Sequence, residues 1–194
     1  MPVDEAFHKR ERFYEEEYFH KREQEFIAAI RRRAARQGDI KELGAKLGID
    51  DPSLIEAILD LGFSDQLAPL LFLAPVVRVA WADGSVSPRE HKMIVEMARK
   101  DGITERGMAD LLLSEWLEKK PSEPFFYDAL LAIRAVLLAI SSEHADARRQ
   151  EIMSRARHVA LAPEGILHSK GALLETEQHA LDSIEAELSR DLHR

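Results

Sequence analysis

No cysteine occurs anywhere in the 194 residues. That absence excludes a disulfide framework, a thiolate zinc site, an iron–sulfur cluster and a cysteine nucleophile together, and it favours a cytoplasmic over a secreted protein. The first residues, Met1-Pro2-Val3-Asp4-Glu5, are acidic and lack the apolar core of a signal peptide, so export is not expected. Long hydrophobic runs are also missing. The most extended, Leu67 to Ala82, carries Pro69, Pro75 and Arg78 and falls short of the ~20 residues that span a bilayer. The next, Ala129 to Ile140, is shorter and contains Arg134. Both read as buried helices. Alternating β-branched runs bounded by hairpin turns are absent, as are a glycine-rich phosphate loop and a serine nucleophile elbow. Catalysis therefore has no motif to rest on, and the expectation is a non-enzymatic protein.

What is present is helix chemistry. Hydrophobic residues make up 45% of the chain, enough at this length for one buried core with an appendage. Helix starts and stops recur throughout, and the fold class expected is all-α. Residues 1–38 read as a charged helical arm, 39–65 as a short helical pair leading into the core, and 66–194 as the main helical domain. In the arm, acids and bases intermix at spacings that favour helix. Its apolar residues split into two patches: Phe7, Tyr14 and Tyr18 on one side, with Phe19, Phe26 and Ile30 about 120° around. This pattern suits a projecting helix better than a coiled coil.

Beyond Gly38 the sequence places helices at about Ile40 to Leu47 and Pro52 to Leu61, the second started by Asp51-Pro52 and stopped by Gly62. A long apolar helix follows from about Gln66 to Trp81, with Pro75 expected to bend it. Ser87-Pro88-Arg89-Glu90 is a capping box with proline at the first helical position, opening a helix that reaches Lys100 before Gly102. Thr104 can cap a further helix to Glu118, with Met108, Leu111, Leu112 and Trp116 as its apolar side. Helices near Phe125 to Ile140, Ala145 to Leu161 and Leu174 to Leu192 complete a bundle, the last presenting Leu174, Leu181, Ile184 and Leu188 at helical spacing.

The most specific stretch is Val79-Ala80-Trp81-Ala82-Asp83-Gly84-Ser85-Val86-Ser87-Pro88-Arg89-Glu90. Asp83 and Glu90 fall at two adjoining helix ends, where carboxylates can face one small volume and hold a hard cation or a polar partner. Each also has an architectural role, Glu90 as the reciprocal member of the capping box and Asp83 as a turn residue beside a required glycine. The loop is not an EF-hand, because Gly84 is second and Glu90 eighth counting from Asp83, where that loop needs glycine at its sixth and glutamate at its twelfth position.

The Ala82-Asp83-Gly84 turn followed by Glu90 resembles the tellurite-resistance TerB family over about residues 66–190. Val159-Ala160-Leu161-Ala162 with Gly165 resembles a second, altered copy, in which Pro163 and Glu164 stand where one aspartate is expected and Glu177 is the counterpart of Glu90. The resemblance implies a bundle of pseudo-repeated helices and a metal-responsive or scaffold role in stress and tellurite resistance. It implies binding of a divalent cation such as calcium, magnesium or manganese by Asp83 and Glu90, with Glu164 and Glu177 as additions from the second copy. It also implies protein partners, including a membrane-associated complex without a span of its own.

Other readings compete. A metal-independent interaction adaptor would use Phe7, Phe13, Tyr14, Tyr18 and Phe19 of the arm as anchors, either for a partner or for a second copy in a homo-oligomer. Nucleic acid is not an expected partner: the net charge is −8, and the helix-turn-helix look of residues 40–61 fails because residues 52–60 contain no lysine or arginine. Arg31, Arg32, Arg33 and Arg36 read as the cationic end of the arm helix. His91, and Glu143 with His144 and Asp146, match no zinc spacing. A carboxylate-metal hydrolase would need more converging ligands than these.

Overall fold

A computed structural model describes residues 36–162 and 175–190. The arm's Phe7 to Ile30, its Arg31 to Arg33 cluster and the segment holding Glu164 lie outside the described residues. The chain divides into two compact units, Met1–Lys41 and Glu42–Arg194. Of the first, residues 36–41 are described and are helical. The second is all-α, with no strand among the described residues.

Helix α1 is helical from 36 through 47, and seven more follow: α2 (Pro52–Asp60), α3 (Ala68–Ala80), α4 (Pro88–Lys100), α5 (Met108–Glu118), α6 (Glu123–Ala139), α7 (Ser142–Ala160) and α8 (Glu175–Ser189). No helix among the described residues is long and apolar enough to cross a membrane. The local signals act as their chemistry requires. Asp51 caps α2, its Oδ1 accepting from the Ser53 amide at 2.9 Å. Past α2, the Phe63 amide reaches back to the Ile58 carbonyl (3.2 Å), and past α4 the Ile103 amide bonds that of Ala98 (3.0 Å); both closures bury the apolar residue that follows the glycine.

α3 is the centre of the bundle, packing against α4, α5, α6, α7 and α8. Ten of its thirteen residues are buried, including Leu70, Leu71, Leu73, Val76 and Val77, so it presents apolar surface all round. Pro75 does not end it: one helix runs from Ala68 to Ala80. The α1–α2 corner is tight at Gly44, where a Cβ would meet Ile55 Cδ1 at 2.8 Å and the Ile49 carbonyl oxygen at 2.9 Å. Only hydrogen fits there.

Two elements differ from expectation. α1 runs through Gly38, already helical at 36, and a Cβ at Gly38 would meet nothing within 4 Å, so the glycine answers no steric need there. α5 starts at Met108, with Gly107 at its N-cap, since residues 104–107 form a turn closed by the Gly107 amide on the Thr104 carbonyl (3.2 Å). Its inward face is Ala109, Leu113, Trp116 and Leu117, whereas Met108 and Leu111 are 64% and 60% exposed. Trp116 decides this orientation. Its ring lies 4.9 Å from Phe125 and 6.4 Å from Phe63, and its carbonyl accepts the Trp81 indole N–H at 2.8 Å.

Candidate functional site

The acidic junction is built by the end of α3 and the start of α4. Past Ala80, the Ala82 amide bonds the Val79 carbonyl (2.9 Å) and the Gly84 amide that of Trp81 (3.1 Å). Gly84 then takes φ +99°, a conformation that β-carbon-bearing residues rarely hold. This reverses the chain and leaves Asp83 exposed at the tip. Asp83 Oδ1 accepts from the Ser85 amide at 2.9 Å and lies 3.5 Å from the Ser85 hydroxyl. It closes an Asx turn.

Glu90 is placed by a complete capping box. The Glu90 amide donates to Ser87 Oγ at 3.2 Å, and Glu90 Oε2 accepts from the Ser87 amide at 2.8 Å. The residue is 4% exposed, so its carboxylate is held in the wall of the bundle near the positive end of α4. Glu177 occupies the first turn of α8 and is 8% exposed. Two of the four candidate carboxylates are thus buried at helix starts, and a third sits on a loop tip engaged by its own turn. Among the described residues, no group of three or more histidine, aspartate or glutamate side chains is placed to hold a metal ion. The donor set present does not by itself complete a coordination shell of the roughly six to eight oxygens that calcium takes.

The remaining sequence candidates separate. His91 is exposed on α4. His144 Nδ1 lies 2.7 Å from Ser141 Oγ at the start of α7, and Asp146 pairs with Arg149 at 3.3 Å. No common site gathers them.

The strongest polar geometry lies elsewhere. Arg155 of α7 grips Asp101, the C-cap residue of α4, through two bonds of 2.6 and 2.8 Å, and also bonds Glu151 at 2.5 Å. These bonds, chiefly the one to Asp101, push the Arg155 guanidinium further toward its charged form. Around this pair lies a cavity of about 200 Å³ lined by α1, α3 and α7. Nothing in the linear pattern marks it, because Asp101 reads as a plain helix end and Arg155 as one of several cations on an exposed helix.

The chain matches no protein-family model, no curated protein and no solved structure.

Proposed function

We propose that the chain is a non-enzymatic interaction adaptor, in which a helical bundle carries a separately organised N-terminal arm. The observation that supports this reading most is the division into the units Met1–Lys41 and Glu42–Arg194, the second of which supplies its own core. The arm's Phe7, Phe13, Tyr14, Tyr18 and Phe19 are the anchors on this reading. The test compares the whole chain with a variant carrying Phe13→Ala, Tyr14→Ala and Tyr18→Ala, by pull-down, oligomeric state and melting temperature. An adaptor loses its specific partner or its self-association while its melting temperature holds. If all three readouts match the parent chain, the arm is idle and the proposal fails.

A second reading, the TerB-like metal-responsive scaffold, draws support from the burial of Glu90 and Glu177 at two helix starts. On it, Asp83 and Glu90 hold a divalent cation, with Glu164 and Glu177 contributing from the second copy. Capping and metal binding can be told apart, because Glu90→Gln keeps the reciprocal cap and removes the charge. Calorimetry with calcium, magnesium and manganese, on the parent chain and on Asp83→Ala/Glu90→Gln, separates the two roles: unchanged affinities, or none in the parent chain, remove the metal.

A further inference from the structure

We propose that the cavity between α1, α3 and α7 binds a small carboxylic acid with an apolar body. Its inner wall is Leu47, Ala68 and Ile152, all at most 5% exposed, with Pro69 and Phe72 half-buried beside them. At about 200 Å³ it is smaller than the ~300 to 1,000 Å³ usual for drug-sized ligands, which sets the scale at one ring or a short chain.

The charges on the rim select the ligand's sign. Asp101, Glu151 and Arg155 line the cavity, but the two carboxylates are both engaged by the Arg155 guanidinium. The other two cations of the lining, Lys46 and Arg148, bring its net charge to +1, and neither has an ion-pair acceptor among the described residues. Arg148 is held in a way that favours a ligand: its guanidinium carbon lies 4.7 Å from the centre of the Phe72 ring. A guanidinium held against an aromatic face keeps N–H donors available, and their fork is what a carboxylate takes bidentately. The wall includes the first residues of α3, a helix start with no capping side chain, whose macrodipole adds positive potential on the same side. The apolar body therefore enters between Phe72 and Ile152, and the carboxylate stays at the mouth against Arg148 and Lys46.

Titration of the full ¹⁵N-labelled chain with phenylacetate, followed by amide shifts, tests this. Saturable shifts gathered on residues 46–47, 68–72 and 148–155 are expected, with phenylacetamide binding at least about tenfold more weakly because it offers the fork only one acceptor and no charge. Arg148→Glu, at an exposed position, lowers phenylacetate affinity on the order of tenfold or more while the melting temperature holds, and Lys46→Glu lowers it less. Lys119→Glu, an exposed cation outside the cavity lining, leaves it unchanged. Absence of saturable shifts, equal binding of acid and amide, or an unaffected Arg148→Glu variant overturns the proposal. So does tighter binding of acetyl-Ala-Ala-Phe with a free C-terminus, which would make the cavity a reader of peptide ends instead.

Discussion

Asp110 carries more local structure than its place on a surface helix suggests. Its Oδ2 accepts the Arg106 amide at 2.7 Å, and its Oδ1 accepts Arg99 Nη2 at 2.7 Å. Arg106 has φ +61°, the one non-glycine residue with positive φ among the described residues, so the carboxylate steadies a strained turn and ties α4 to the start of α5. The Arg106 backbone bond, and next the Arg99 bond, hold the Asp110 carboxyl below its ordinary range. A carboxyl whose folded pKa is depressed contributes stability that is complete above its unfolded value and is lost as the pH falls through its folded value. Asp110→Asn is expected to destabilise the protein at neutral pH by about 1 to 3 kcal/mol, as for a hydrogen bond to a charged group. It should also flatten the acid limb of stability, which in the parent starts at the ordinary aspartate range and continues down through the depressed folded value. Urea unfolding at pH 7 and at pH 3 measures both; a variant that loses equal stability at the two pH values would show that charge is not what Asp110 contributes.

At the scale of elements, what could be read from the sequence was what is settled within a few residues. The Asp51-Pro52 start and the Ser87 to Glu90 box need only neighbours, and both form as their residue types require. The face of α5 could not be settled locally. Met108, Leu111, Leu112, Leu113, Trp116 and Leu117 are apolar on a helix of eleven residues, so periodicity admits more than one inward side. The side is chosen by partners outside the helix, Phe63, Trp81 and Phe125 around Trp116. The cavity was hidden for the same reason: Asp101 and Arg155 are 54 positions apart, and their pairing has no signature in either stretch. The turn of Asp83 and Glu90 was legible as geometry, but the same residues serve capping and ligation alike, and Glu164 lies outside the described residues. The orientation of α5 is directly testable. Leu113→Ala, at a site 1% exposed, should cost about 2 to 5 kcal/mol. Leu111→Ala should stay within about 0.5 kcal/mol of the parent. The reverse order in denaturant melts would restore the outward-facing set to the core.

Across the whole bundle, apolar burial and charge divide the labour. α3 is central and almost uncharged, its Arg78 reaching Glu123 only at 3.6 Å, so it contributes burial without directing which neighbour goes where. Direction comes from ion pairs between the surrounding helices: Arg99–Asp110 joins α4 to α5, Arg157–Glu185 joins α7 to α8, and Arg134–Glu187 joins α6 to α8. The last is the most enclosed of the three, with side chains 22% and 11% exposed and a 2.7 Å contact, and Glu187 also meets Arg190 at 3.2 Å. A pair at that depth gives up hydration on both sides, so its net stabilisation is small while the cost of breaking it is large. Arg134→Met removes one partner and leaves a carboxylate in the α6–α8 seam; a loss of about 2 to 4 kcal/mol is expected, somewhat below a fully buried case because Arg190 remains. Arg134→Met with Glu187→Leu removes both charges and restores apolar contact across the seam, and most of that loss should return. A double-variant cycle by chemical denaturation measures the coupling. Additive losses, with the double variant less stable than either single one, would mean that the two side chains stabilise by separate packing and that charge does not set how α8 docks on α6.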